Sequence, residues 1–565
     1  MRIAVNFVLN NFNMERRDFI QAGVRSRSMV APPQSGLNPY TGPWTRTQAM
    51  HLLRRTMFGV RKNDLDWALS QGMSASVTGL LNDGLDPIPS PPLNMYSTTA
   101  DPDPTTAYGQ TWVNAPVLTQ IPAQYYQSRK DSLKMWWTGN IINQKRTIVE
   151  KMTLFWFNHF AIELDQIPVA QPVYYYYKLL RDNCLGSFTK MLRAVSVDPT
   201  MLYYLNGQKN SATAPDENYG RELQELFAIG KGIDSHYTED DVKAAARVLT
   251  GYRINPLVNP IGYYFDSTMH DANKKDFSSF YGNKSIAARP AILGESELDE
   301  MLTMLTSNTE CARFLCRKLY QFFVYYEISS DAEQNVIRPL ADQLRNSGYN
   351  IRSVIDTLLR SEHFYDQANL GCVIKNPLDY AVGLLKEFSV ALPDGSNIQQ
   401  QYFGWAGITI LSAYQGLNLA DPPVVSGYQP WYQKPQYHEI WINSDTLASR
   451  NNVAATLFSE AGLDVNGIKY YTDPTIFTKS LKDPSDASLL VQEAVELLYN
   501  YPLSVTSLDY LKSFLISGLP DESYWTTIWT GFLANPNDPN YRSAVMQRLN
   551  ALYSEIVSQA EYHLS

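Results

Sequence analysis

The chain has 565 residues, 44% hydrophobic and 18% charged, with a net charge of −9. That balance excludes wholesale disorder, because enough apolar surface is present for a large core. The acidic excess and the lack of a long Lys/Arg run speak against a nucleic-acid-binding face, and no apolar stretch reaches the roughly 18 residues of a membrane-spanning helix.

Residues 1–35 read as an N-terminal extension, followed by one large helical domain over 36–565. The extension carries Arg16-Arg17 ahead of Phe19-Ile20, the pattern of a twin-arginine export leader. Arg25 and Arg27 interrupt the apolar segment such a leader needs, and a basic amphipathic helix is the alternative. Thr45 or Thr47 can cap a helix carrying Ala49, Leu52, Leu53 and Met57, stopped by Phe58-Gly59. Residues 83–120, rich in Pro, Asp, Thr and Ser, predict a long surface loop. From Lys145 to Glu163 the pattern is strongly helical. Ile148, Met152, Phe155 and His159 share one face, and Leu154, Trp156, Phe157 and Phe160 fill most of the rest. A helix apolar nearly all round is a buried one.

Phe188, Met191, Leu192 and Val195 mark the next helix, and Pro199 suits the first turn of a short one. A helix follows over about 216–229, ending at Gly230. Thr238 then N-caps a helix through Val242, Ala245, Ala246 and Leu249 to Gly251. Residues 252–290 read as irregular. Helices return at about 296–305, 309–326, 331–346 and 351–360. Residues 415–445 are again irregular, and the last third alternates helices with Pro- and Asp-rich turns. Solenoid repeats and heptads are absent, and strand alternation is rare. The predicted fold is mainly α: a large multi-helix globular domain with long irregular loops and at most a small sheet.

Aromatic residues reach 12%, with 37 Tyr and 11 Trp, which suits an amphipathic core rim or a groove. Trp431, Tyr432 and Trp441, with His438 nearby, could line a groove for carbohydrate or protein, or simply pack down their own loop. Cys184, Cys311, Cys316 and Cys372 contain no Cys-x-x-Cys pair, so a thiolate zinc site is not expected. Cys311 and Cys316 read as small core residues. The even count leaves one or two disulfides open for an exported chain.

The polar residues with most chemical promise lie on the 216–229 helix. At 100° per residue, Asn218, Arg221, Glu222 and Glu225 fall within about a 100° arc, opposite Leu223, Leu226 and Phe227. Glu222 and Glu225 are three apart and can converge, while Arg221 and Glu225 are four apart and can pair. So concentrated a polar face predicts that Arg221, Glu222 and Glu225 turn inward, toward His159. With His270-Asp271, the set His159, Glu222, Glu225, His270 and Asp271 would make a divalent-metal site of mixed N and O ligands. Arg221, Glu222 and Glu225 would be its catalytic groups. The competing reading is a self-satisfied Arg–Glu–His network. Glu-x-x-His, His-Glu-x-x-His, Gly-x-Ser-x-Gly, Walker and Gly-x-Gly-x-x-Gly patterns are all absent.

Several segments, in order, carry a family resemblance. They are His51–Gly59 (HLLRRTMFG), Phe155–Phe160 (FWFNHF), Glu217–Phe227 (ENYGRELQELF), Tyr237–Val242, Leu249–Tyr252, His270-Asp271 with Lys275, Lys318–Tyr320, Ile374–Pro377 (IKNP), Asp421–Pro423 and Trp441–Ser444. Together they resemble the bacterial domain of unknown function 1800 family over about 45–450, leaving a helical C-terminal part over about 451–565. The resemblance implies a bacterial, largely helical, exported protein. Such proteins are commonly encoded beside an exported alkaline-phosphatase-like protein, a candidate partner. It supplies no established catalytic residues. The expectation is an exported periplasmic or cell-surface protein, a metal-dependent hydrolase if the cluster forms. If the cluster is only structural, a non-catalytic envelope or surface-assembly protein is expected.

Overall fold

A computed structural model describes residues 35–565 except Ile88, 117–122, 429–436, Asn466 and Tyr501. Arg16-Arg17, Trp431 and Tyr432 lie outside the described residues. The fold is mainly α, and among the described residues the strands form only three two-stranded antiparallel sheets.

The first half runs α1 (Arg46–Thr56), α2 (Lys62–Leu80), α3 (Ala123–Asn143), α4 (Val149–His159), α5 (Ala170–Asp182), α6 (Phe188–Ser196), α7 (Pro199–Tyr204), α8 (Glu217–Glu222) and α9 (Glu239–Val248). Next come α10 (Glu295–Ser307), α11 (Thr309–Phe323), α12 (Ser330–Ala332), α13 (Arg338–Asn346), α14 (Ile351–Arg360), α15 (Pro377–Glu387) and α16 (Ile398–Tyr414). The C-terminal part holds α17 (Ser444–Leu457), α18 (Pro474–Lys479), α19 (Ala487–Leu498), α20 (Val505–Leu515), α21 (Ser523–Ala534) and α22 (Pro539–Ser558). In that part α22 packs on α17, α18, α20 and α21. One contiguous apolar cluster links Ala49 to Tyr562.

Cap chemistry sets several of these boundaries. Thr238 accepts from the Asp241 amide while Asp241 accepts from the Thr238 amide, a capping box that starts α9. Pro199 occupies the first turn of α7, where its missing N–H costs nothing. Residues 252–290, expected to be irregular, hold two of the small sheets. Tyr252–Asn255 (β1) pairs with Gly262–Phe265 (β2), and Lys275–Asp276 (β3) with Ser285–Ile286 (β4). Strands of two to four residues are too short to show alternation in sequence. The third sheet joins Leu463–Val465 (β5) to Ile468–Tyr470 (β6).

Helix α4 is buried on every side, as its composition requires. Every residue from Val149 to Phe157 is buried, and so is His159. Trp156 donates from Nε1 to the Cys184 carbonyl at 2.8 Å. A buried helix must pair its charges, and α4 does. Glu150 takes Arg181 Nε of α5 at 2.8 Å, and Lys151 pairs with Asp379 of α15. Removing one partner of such a pair costs about 3–5 kcal/mol. Of the tyrosine run on α5, Tyr174, Tyr176 and Tyr177 are buried and Tyr175 sits at the rim. All four cysteines are free, with Cys184, Cys311 and Cys316 in the core.

Candidate functional site

The helix predicted over 216–229 exists, but not as one regular helix. α8 stops at Glu222, and Leu223–Ala228 forms a π-helical turn, in which the Ile229 amide reaches back five residues to the Gln224 carbonyl at 2.8 Å. A rotation of 100° per residue therefore misplaces everything after Glu222. α8 also sits very close to α9. A Cβ on Gly220 would come within 2.8 Å of the Ala246 nitrogen, so glycine is what permits the approach.

The consequence is a correction to the expected inward face. Arg221 does not pair with Glu225. It grips Glu239 at the start of α9 with both terminal nitrogens (2.9 and 2.6 Å) and reaches Glu217 at 3.4 Å, with its side chain 34% exposed. Glu225 pairs instead with Lys231 at 3.0 Å and lies 3.4 Å from the Tyr237 hydroxyl. Glu222 is half-buried, and burial followed by the Glu225 charge pushes its carboxyl up to about 7.

The other predicted ligands go elsewhere. His270 Nδ1 donates to the Thr250 carbonyl at 2.9 Å, and its Nε2 lies 3.4 Å from Glu297, which also takes Lys275. Asp271 binds Arg247 at 2.7 Å. Burial acts to raise the Asp271 carboxyl, but hydrogen bonds from Arg247 and the Asn273 amide prevail and hold it at about 2. His159 donates from Nε2 to the Phe227 carbonyl at 3.0 Å, one of the orphan carbonyls in the last turn of a helix. His159, the Glu222/Glu225 pair and the His270/Asp271 pair, whose two members share Thr250, thus lie in separate networks. Among the described residues, no three His, Cys, Asp or Glu side chains are grouped to hold a metal ion.

His159 nonetheless lies on a functional-looking surface. A cavity of about 110 Å³ opens between α1, α4, α11, α15 and the end of the π-helical turn. That is far more than the ~10–15 Å³ one water needs. Its wall carries four cationic side chains, Arg54, Arg55, Lys151 and Lys318, against one carboxylate, Asp379. Trp441, for which the sequence allowed either a groove wall or a packed-down loop, is buried and lines this cavity with Tyr428. Asn158 Oδ1 accepts the Tyr428 amide at 2.7 Å. Gly427 has φ +99°, and a Cβ there would come within 2.2 Å of Asn158 Oδ1. Only glycine lets this turn close against α4.

The cations differ in how they are satisfied. Lys151 has Asp379 and the face of Phe58, 4.3 Å from its nitrogen. Arg54 donates to Asn500 and the Leu497 carbonyl (2.8 and 2.9 Å), with Glu387 at 3.8 Å. Arg55 touches only the Asn369 carbonyl and Cys372 Sγ, both at 3.3 Å, and its buried Nε lacks a partner. Lys318 has no hydrogen bond or ion pair among the described residues; the Phe314 ring lies 5.4 Å from its nitrogen. Burial alone brings its amine down to about 7. Burial, then the Lys318 charge, holds His159 well below the usual imidazole range. His159 is therefore neutral at pH 7, with its Nδ1 lone pair unpartnered.

A family model described as a protein of unknown function (DUF1800) matches residues 51–547. The chain belongs to the DUF1800 family. No curated protein and no solved structure matches it. In this DUF1800 chain, six of the segments that carry the resemblance meet at the cavity, supplying Arg54 and Arg55, Asn158 and His159, Leu226, Lys318, Asn376, and Trp441. Lys151 had a readable signal, a charge set in a helix of large apolar residues where it must be buried; Lys318, half-buried on a helix that also carries Glu310, Arg313 and Arg317, had none.

Proposed function

We propose that this cavity is the working centre of the protein and that it binds a small organic anion. The observation that carries the reading is the cation excess on the cavity wall, with the half-buried Lys318 left without a counter-charge among the described residues. A buried unpaired cation is strongly unfavourable, and such groups persist at ligand sites, where the ligand supplies the missing charge. The volume suits a ligand of a few non-hydrogen atoms. A carboxylate in the cavity would give Lys318 the counter-charge it lacks among the described residues, with Arg55 on the same wall.

This reading displaces a metal-dependent hydrolase built on His159, Glu222, Glu225, His270 and Asp271, because those residues are spent on separate partners. Export, as an envelope protein, remains part of the proposal. It rests on Arg16-Arg17 and on the family resemblance, and fractionation that finds the full chain only in the cytosol, its leader uncut, would remove it. The binding reading is tested by thermal shift with lactate, pyruvate and inorganic phosphate at fixed ionic strength. At least one should raise the melting temperature in a saturable way, since a ligand that binds only the folded state stabilises it by mass action. An equal response to chloride would overturn the reading.

A further inference from the structure

Resting on the anion-binding reading, we infer that Lys318 is a carbonyl-capturing amine and that the natural ligand class is a small 2-oxo acid, its carboxylate held by Arg55 and its carbonyl presented to Lys318 Nζ. The first support is position. Lys151, the other lysine on the cavity wall, is tied to Asp379. Two further buried lysines do not line the cavity: Lys375, whose Nζ has no hydrogen-bond partner among the described residues, sits over the Tyr562 ring at 3.9 Å, and Lys386 donates to the Phe58 carbonyl at 2.7 Å. Lys318 alone faces the cavity without a counter-charge among the described residues. A pure anion clamp would be served as well by arginine, which never offers a free lone pair.

The second support is the neighbour. His159 lines the same wall, close enough for the Lys318 charge to depress it. With Nε2–H fixed on the Phe227 carbonyl, its buried Nδ1 has no hydrogen-bond partner among the described residues, so the ring stays neutral beside the amine. The third is protonation. An amine at about 7 is half neutral at pH 7, whereas an ordinary lysine keeps fewer than about one amine in a thousand neutral there. Desolvation is a known way of activating a lysine toward carbonyl groups.

The step balances without any oxidant or reductant. The Nζ lone pair forms a bond to the carbonyl carbon, and the C=O π pair moves onto oxygen. The proton that nitrogen sheds passes to that oxygen, giving a carbinolamine. The nitrogen lone pair then expels the hydroxyl, which leaves as water with one proton taken from solvent. The products are an iminium and water.

The test uses the full chain with pyruvate, and with lactate as the carbonyl-free control, followed by borohydride reduction and peptide mapping. The expected result is one reduced three-carbon adduct on the Lys318 peptide. It should exceed any other lysine by at least about tenfold, given the neutral-amine fractions above, and excess lactate should suppress it. Lys318→Arg should lose the adduct while still binding lactate by calorimetry. If pyruvate binds but borohydride traps nothing at Lys318 beyond the level of surface lysines, the inference falls and the anion-binding reading stands. If neither acid binds the wild-type chain, both fall. The mapping and lactate competition need only wild-type protein, so a poorly folding variant would not shield the inference.

Discussion

Replacing Lys318 with Met should make the protein more stable, and by an amount that depends on pH. Methionine keeps the length and flexibility of the lysine stem and fills irregular apolar gaps well, so the change chiefly deletes the ammonium. Burial brings that ammonium from the ordinary 10.5 to about 7. At about 1.4 kcal/mol per pH unit, the buried charge weakens the native state by at most about 5 kcal/mol. The side chain is only half-buried by surface and ends at a cavity, so roughly half of that, 2–3 kcal/mol, is the expected gain. The sign follows from linkage. Below pH 7 the amine is charged in both folded and unfolded chains, and the penalty is present in full. Between about 7 and 10.5 the unfolded chain still binds the proton that the native chain has lost, so wild-type stability rises with pH and the gap closes. Scanning calorimetry of both proteins at pH 6 and pH 9, without added anion, measures it. The variant should melt higher at pH 6, and the difference should shrink by pH 9. A lower melting point at pH 6, or a difference independent of pH, would refute the picture of an uncompensated buried cation.

Two further outcomes follow from the helix face that turned out differently than expected. Glu222, raised to about 7, binds its proton more tightly in the folded chain, so its contribution declines as pH climbs from about 4.5 to 7. Glu222→Gln should therefore raise the melting temperature at pH 8 and leave it nearly unchanged at pH 4.5, as differential scanning fluorimetry would record. Glu225→Ala breaks the pair with the exposed Lys231 and the long 3.4 Å contact with the Tyr237 hydroxyl and should cost about 1 kcal/mol. A loss of several kcal/mol in denaturant titration would mean that Glu225 is held in a buried network after all.

The helices were legible because their caps and apolar spacing are local. Thr238, Pro199 and the all-apolar circumference of α4 each name their own structure. The site was half legible. His159 stood out as a polar group on a buried stripe, and it does line the cavity. Its expected companions did not arrive, because the wheel carried regular α geometry on to Glu225 where the chain winds as a π-helix from Leu223, and because Arg221 finds its partner in the exposed Glu239. No local pattern announces that widening; the π register and the close seat of Gly220 on α9 are products of packing. The cationic wall was hidden for a different reason. Arg54, Lys151 and Lys318 come from three helices far apart in sequence, and only the fold reveals that their ends meet.

The account stands or falls on the cavity taking an anion. Isothermal titration of lactate into the full chain at pH 7 measures this directly, repeated with Arg55→Met and Lys318→Met. One saturable site is expected in the wild type, weakened at least about tenfold in either variant, the equivalent of losing about 1.4 kcal/mol of charge-assisted binding. Absence of saturable heat in the wild type, or binding that both variants retain unchanged, would contradict it.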